Sequence, residues 1–407
     1  MIRVFTVVIA LAIPGAAAAQ VMEGSREIGE VRSNARGHIG PFYVTPSVLL
    51  KELGVDSNVF NAAGEPQSDF TFTLKPALNV WVPMAQRAMV KATIAPDMVW
   101  YAEHATERSV NPDVTVRGDV YLNRITLFGE RGYLSTRERP NHEVDVRSRH
   151  VRETVAAGVS VAVTPKLSVQ VAGRQVDIRY DTGTEFDGTS LARTLNRETR
   201  GVQLTLRHRL TPLTTLALRS EVLEERFELS PMRNSDSRRV MPGVEFAPQA
   251  LIKGSAYVGY RTFTPLFPEA LPEFGGIVGE LGLSYALLGS TVFGASYRRD
   301  LTYSYSELQP FFVDNAVGAS IRRALGRRFD LLLSGDRHKY DYRNMVTAGP
   351  DLAPRVDTTW AYGASLGYRI GRESRIGFGV SHLQRESTNQ ARTYKNLRFG
   401  TTFGHGF

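Results

Sequence analysis

Basic side chains at every second residue, opposite apolar ones, are the feature of this chain best placed to do chemistry. Val151, Val155, Val159, Val161 and Val163 alternate with Arg152, Thr154, Ala156, Gly158 and Ser160. Val202, Leu204 and Leu206 are set against Gln203, Thr205, Arg207 and Arg209, and Leu216 and Leu218 against Arg219 and Glu221. Tyr297, Leu301 and Tyr303 are set in the same way against Arg298 and Asp300. A period of two puts each polar set on one face of a strand and each apolar set on the other. Adding Lys75, Arg369 and Arg398 gives a mostly basic wall with a few acids. Such a wall concentrates anions and repels cations. Only seven of the 49 basic residues are lysine, and the net charge is +8. A guanidinium stays charged and grips carboxylate or phosphate with two parallel hydrogen bonds, so the bias points to anionic partners, although arginine-rich coding contributes to it. The competing reading pairs these arginines with acids such as Glu221 and Asp300 across strands, so that they only stiffen the wall.

Trp81, Tyr121, Tyr340 and Tyr342 fall on the same inward sets. Their ring faces suit stacking on sugars. Trp81, Tyr340 and Tyr342 also lie near strand ends, where aromatic girdles are expected in any membrane barrel. Catalytic chemistry finds little support. Gly363-Ala364-Ser365-Leu366-Gly367 matches the nucleophile-elbow pattern in letters, but that motif needs a strand-turn-helix context and here lies inside one alternating strand. The eight histidines are scattered, with no pair at metal-ligand spacing. Cysteine is absent, which removes disulfides and thiolate metal sites. No catalytic residue, metal, cofactor or nucleic-acid partner is expected.

The elements that position these residues are strands. Trp360, Tyr362, Ala364, Leu366, Tyr368 and Ile370 alternate with Ala361, Gly363, Ser365, Gly367 and Arg369; Ile376, Phe378 and Val380 repeat the pattern against Arg375, Gly377, Gly379 and Ser381. The chain ends in a third such strand, with Leu397, Phe399, Phe403 and Phe407 on one face. Phe399, Phe403 and the terminal Phe407 resemble the signal that outer-membrane barrels present to the barrel assembly machinery. No segment approaches the ~20 apolar residues of a membrane-spanning helix. Closed barrels are the other structure that satisfies its backbone in hydrocarbon. The predicted fold is therefore all-β, a transmembrane antiparallel up-and-down barrel of about 18 strands, with 16 as the fallback. A soluble secreted β-protein is the structural rival.

Residues 1–19 read as a signal peptide: Arg3, an apolar run from Val4 to Ile13, then Pro14-Gly15 and Ala17-Ala18-Ala19. Residues 20–40 are polar and glycine-rich without usable periodicity, which predicts a flexible periplasmic arm able to dock a partner or lie in the pore. Residues 41–407 make the barrel. Short turns at 163–166, 210–213, 247–250, 287–290, 325–328 and 371–374 alternate with longer loops, the pattern of periplasmic and extracellular ends. Residues 114–136 are ambiguous, because the apolar register changes parity; a turn near Asn123 or a bulged strand both fit. Pro76 inside a strand counts against the pattern. Inward glycines 363, 367, 377, 379, 400 and 404 predict a bend or the approach of another backbone. Of the loops, 181–196 is expected to fold inward.

Phe42-Tyr43-Val44-Thr45-Pro46-Ser47-Val48, followed by Val55-Asp56-Ser57-Asn58-Val59-Phe60, resembles the opening of an outer-membrane β-barrel porin family often encoded in exopolysaccharide operons. Tyr257-Val258-Gly259-Tyr260-Arg261-Thr262-Phe263 is similar to a later strand of that family, though Leu53-Gly54 stands where an aromatic is expected. The resemblance implies a Gram-negative cell outer membrane location with both termini periplasmic, contact with lipopolysaccharide, and passage of an anionic polysaccharide with a periplasmic polysaccharide export protein. A diffusion porin for small anionic solutes and a surface-binding barrel are the alternatives.

Overall fold

The computed structural model describes residues 27–84, 87–349 and 352–406. The predicted signal peptide, the first residues of the arm and Phe407 lie outside the described residues. Eighteen antiparallel strands follow one another around a closed barrel. The first five are β1 (Phe42–Asp56), β2 (Asp69–Met84), β3 (Ala88–Ile94, resuming as Asp97–Tyr101), β4 (Ser109–Asn111, resuming as Asp113–Leu122) and β5 (Ile125–Thr136). β6 (His150–Ala162), β7 (Leu167–Tyr180), β8 (Arg197–Thr211), β9 (Thr214–Phe227), β10 (Ser235–Phe246) and β11 (Ile252–Pro265) continue the wall. β12 (Phe274–Leu287), β13 (Thr291–Tyr303), β14 (Phe311–Leu325), β15 (Phe329–Arg343), β16 (Val356–Ile370), β17 (Ser374–Ser387) and β18 (Tyr394–His405) complete it. β18 pairs with β1 from Val48↔His405 to Asp56↔Arg398, so no edge is left open.

Alternation explains the wall. The outward sets carry large apolar residues that stay exposed in the isolated chain, such as Val155, Val202, Ile277 and Phe378. A contiguous apolar surface of this extent needs lipid against it. The ambiguous stretch resolves into two strands: Leu122 pairs with Ile125, and Asn123 takes the left-handed conformation the tight turn requires. Pro76 causes little disruption because Pro96 on β3 and Pro112 on β4 stand in register with it. Three residues lacking an N–H thus share one gap in the ladder, and the register on either side is kept.

The first strand continues past Leu50 to Asp56. A bulge at Lys51–Leu53, with Glu52 at φ 58°, shifts the register against both neighbours. The bulge exchanges the parity of inward and outward residues, which hides the continuation in the sequence. Just beyond it Gly54 faces Gly400 across the seam, where a Cβ would overlap the Phe399 carbonyl oxygen.

Short turns gather at one end of the barrel with both described chain ends, and the longer loops gather at the other. The loop end is filled. Val144, Ile178, Leu191, Leu195, Phe227, Phe263, Leu271, Tyr303, Tyr305 and Phe311 form a buried cluster drawn from strand ends and loops. Leu301 and Tyr303, read from the sequence as lipid-facing, belong to this cluster. Near the loop end β13 stops alternating: Asp300 pairs with inward-facing Arg239 and Arg261, and Leu301, the next residue, is also buried in the interior. At the turn end, where the sequence offered no periodicity, residues 27–34 are helical. This helix brings Glu27 onto Lys91 and Tyr121, which face the lumen, and Ile28 is buried.

Candidate functional site: the barrel lumen

Strands β8 to β14 carry a chain of ion pairs on their inner face. Arg207 meets Glu245 at 3.0 Å, Arg219 meets Glu245 at 3.6 Å and also Glu280, and Arg219 lies 3.6 Å from the centroid of the Tyr257 ring. Arg239 bridges Glu221 and Asp300, Arg261 shares Asp300 at 2.8 Å, and Arg298 pairs with Asp314. Each arginine meets acids one to three strands away, so the pairs tie strands together across the inner face and stiffen it. β6 and β7 differ. Arg152 and Arg174 point inward and make no ion pair among the described residues, so positive charge is left unmatched there.

A band of the inner face across β14 to β18 is nearly bare. Gly318, Ser320, Ser334, Gly363, Ser365, Gly379, Ser381, Gly400 and Thr402 occupy successive inward positions. Gly367 and Gly377 have a particular reason: the Arg375 guanidinium lies over both, and a Cβ at either position would overlap it. Arg375 crosses them to grip Asp330 through two nitrogens, at 3.0 and 2.6 Å. A flat side chain therefore fills the space for which the sequence suggested another backbone.

Residues 137–149 form a loop that spans the lumen. It springs from β5 and β6, yet His142 lies 5.0 Å, ring to ring, from His338 on β15, and its carbonyl accepts from Arg385 on β17. Loop 181–196, the one expected to fold inward, does so as well: it contributes buried Leu191, Ala192 and Leu195 to the plug, and its Phe186 lies under Arg392, between β17 and β18, at 4.5 Å. The crossing loop is held by a charged node. Arg385, fully buried, binds Asp357, the Glu143 carbonyl at 3.2 Å and Asp145 at 3.4 Å. Arg392 reaches Asp145 at 3.3 Å and the Tyr305 hydroxyl at 2.8 Å, and Arg355 bridges Asp357 at 2.7 Å and Glu143 at 3.7 Å. Burial pushes the Glu143 and Asp145 carboxyls up, against the pull of the arginines. Burial, with His338 beside it, pushes His142 down to about 4, so it is neutral at neutral pH.

The residues singled out from sequence fall into three groups. Lys75 pairs with Asp97 at 3.2 Å, Arg398 with Asp56 at 2.8 Å, and Arg369 stands 3.9 Å from Asp330; with Arg207, Arg219 and Arg298 these belong to the ion-paired wall. Arg152 and Arg209 are free of ion pairs among the described residues, Arg209 at the turn end beside the register shift of β8. The aromatic set separates. Trp81 faces inward in register with Tyr43 and Lys91, and the Tyr121 hydroxyl is engaged by Glu27 of the helix. Tyr340 is buried between Phe312, at 5.1 Å, and His338, at 5.8 Å, so its ring has no open face for a sugar. Phe399 lies on the exposed outer face, and Phe403 pairs with Leu50 and Ile376.

The node itself was missed in the sequence. Arg385 continues the inward set Ser381, Leu383, so extending β17 by two pairs would have found it; Glu143, Asp145 and Arg392 lie in loops without periodicity. The Asp56-x-Asn58-x-Phe60 motif proves structural. Asp56 accepts from the Asn58 N–H at 3.0 Å, and the buried Asn58 amide donates to the Ala62 and Lys395 carbonyls, tying the first loop to β18 across the seam.

Similar barrels are known. The fold matches a BenF-like porin from Pseudomonas fluorescens Pf-5 with a TM-score of 0.50 at 9% identity, over 89% of this chain and 99% of that one. OpdK from Pseudomonas aeruginosa, solved with vanillate, gives 0.47 at 10% identity, over 91% of this chain and 99% of that one. OccAB3 from Acinetobacter baumannii gives 0.47 at 10% identity, over 89% and 99%. A search of curated proteins found no match. The model of the family described as "Putative beta-barrel porin 2" matches residues 35–403, nearly the whole barrel, and the chain belongs to that family, as a porin-like channel of the outer membrane.

Proposed function

We propose that this protein is a gated, non-enzymatic channel through which an anionic polysaccharide crosses the outer membrane, with the turn end and both termini in the periplasm. The observation that carries the reading is the asymmetry of the lumen. A wall of glycine, serine and threonine across β14 to β18 offers a flexible polymer hydroxyls and peptide groups with few side chains to catch on. Arg152 and Arg174, without ion pairs among the described residues, supply positive potential on the other side. Barrels of ~16 to 18 strands leave an aqueous passage unless something fills it. Here a crossing loop fills one end and a helix enters the other, which suits regulated passage better than free diffusion of small anions. The helix at residues 27–34 gives a periplasmic export protein something to pull.

Deleting the gene tests this reading. Surface polysaccharide should disappear while polymer accumulates in the periplasm, and complementation with Gly379→Phe, which narrows the bare wall, should restore it only weakly. Normal surface polymer in the deletion strain would refute the proposal. Uptake defects for small anions instead would favour the diffusion porin.

A further inference from the structure

Between the crossing loop and strands β16 to β18 lies a cavity of about 410 Å³. Arg139, Asn141 and His142 line it from the loop, and Tyr394, Asn396 and Arg398 from β18. Its volume falls within the ~300–1,000 Å³ common for small-molecule sites. A second cavity, of about 240 Å³, shares Ser381 and Arg398 with it and runs on along Gly363, Gly379 and Gly400. The polar pocket therefore opens onto the bare wall.

The charges in this pocket do not balance. Asp145, the carboxylate lining it, is already held by Arg385 and Arg392, and Arg398 is matched by Asp56. Arg139 has no carboxylate at ion-pair distance among the described residues. Its Nε donates to the Asp145 carbonyl and its Nη2 to the Val59 carbonyl, both at 2.7 Å. Those two bonds fix the guanidinium plane, and Nη1 is left without a partner among the described residues. A charged donor oriented by two neutral acceptors is prepared for an anion that the protein does not supply. Around it the Tyr394 hydroxyl accepts from Asn61 and keeps its own proton to donate. Asn141 uses its Oδ1 on the Glu143 and Val144 N–H groups, which leaves its NH2 to donate into the cavity.

We infer that this cavity is a subsite for a carboxylate-bearing sugar unit of the polymer, with the carboxylate on Arg139 Nη1 and the sugar hydroxyls on Asn141 and Tyr394. The inference rests on the polysaccharide reading and names its substrate class as a uronic-acid polymer. Placed where the crossing loop meets the bare wall, the subsite gives the polymer a contact with the element that must move to let it pass.

The test is calorimetric titration of the purified, refolded full barrel with an oligogalacturonate, a neutral oligosaccharide of equal length, and monomeric galacturonate. The uronate oligomer should bind, and Arg139→Gln should weaken it by about tenfold, the loss of one charged hydrogen bond. Because Arg139 also braces its loop, Ala361→Phe serves as the second variant: it fills the cavity, removes no polar contact, and should weaken binding as well. Unchanged heat-modifiable mobility on gels confirms that both variants are folded barrels. No uronate binding, equal binding of the neutral oligomer, or binding that ignores both variants would overturn the subsite. Monomer binding as tight as oligomer binding would overturn the polymer as its ligand. Lost surface polymer in the deletion strain without uronate binding rejects the subsite alone, whereas specific binding with normal surface polymer rejects the export reading alone.

Discussion

Arg385 carries more of the crossing loop than any other side chain. It is fully buried, and its partners are two carboxylates and two loop carbonyls. Removing one member of a buried ion pair costs roughly 3–5 kcal/mol, because the partner is left charged and unmatched. Arg385→Ala should therefore release the loop from β17 without opening the wall, read as a several-fold rise in single-channel conductance with folded mobility kept. Surface pairs such as Arg131 with Glu153 should change conductance little. His142 adds a pH dependence with a definite sign. Its value in the docked loop, about 4, lies below the ordinary 6.5, so the released loop takes up a proton first as pH falls through that window. Docking therefore weakens toward acid by this residue, although Asp314 opposes the shift and Arg298 and Arg385 add to it. Glu143 and Asp145, raised by burial, act with the opposite sign. His142→Gln removes only the histidine component, so the variant should open less than the wild type between pH 7 and pH 5; an equal opening would assign acid gating elsewhere. At this scale much of the wall was legible, because inward arginines follow from alternation. Which of them are paired was not, since partners such as Arg219 and Glu280 are 61 residues apart and meet only when the barrel closes.

Among the elements, strands were the readable part and loops were not. Each strand repeats one binary pattern, and the tight turns that join them carry turn residues, so the count of eighteen and the turn at Asn123 follow from sequence. The missed stretches have local causes. The bulge at Glu52 exchanged the parity of β1, and β13 stops alternating at Asp300 and Leu301. The crossing of residues 137–149 was hidden for another reason: it is held by tertiary ion pairs that leave no periodic trace. The seam between β1 and β18 gives a sharp prediction at this scale. Gly54→Val would drive a side chain into the Phe399 carbonyl. The sheet could then not close there, and the folded fraction on heat-modifiability gels should fall strongly. Gly64→Val, in the first loop, would place its Cβ in open space with nothing within 4 Å, and should fold like the wild type.

The molecule as a whole is a wide barrel with the ion-paired loop across it toward one end and the helix at residues 27–34 set against the wall at the other. Its interior combines a stiff ladder of ion pairs, a patch of arginine outside that ladder and a bare wall, and the proposed path of the polymer is the space between them. Planar-bilayer conductance of the refolded full chain tests this most directly, comparing the wild type with a double variant carrying Arg385→Ala and Glu27→Gln, with and without an acidic oligosaccharide. A nearly silent wild type, and a double variant whose large anion-selective current the oligosaccharide blocks, is the predicted result. A wild type that conducts steadily at full size, indifferent to both substitutions and to the oligosaccharide, would contradict the gated conduit and identify an open diffusion pore.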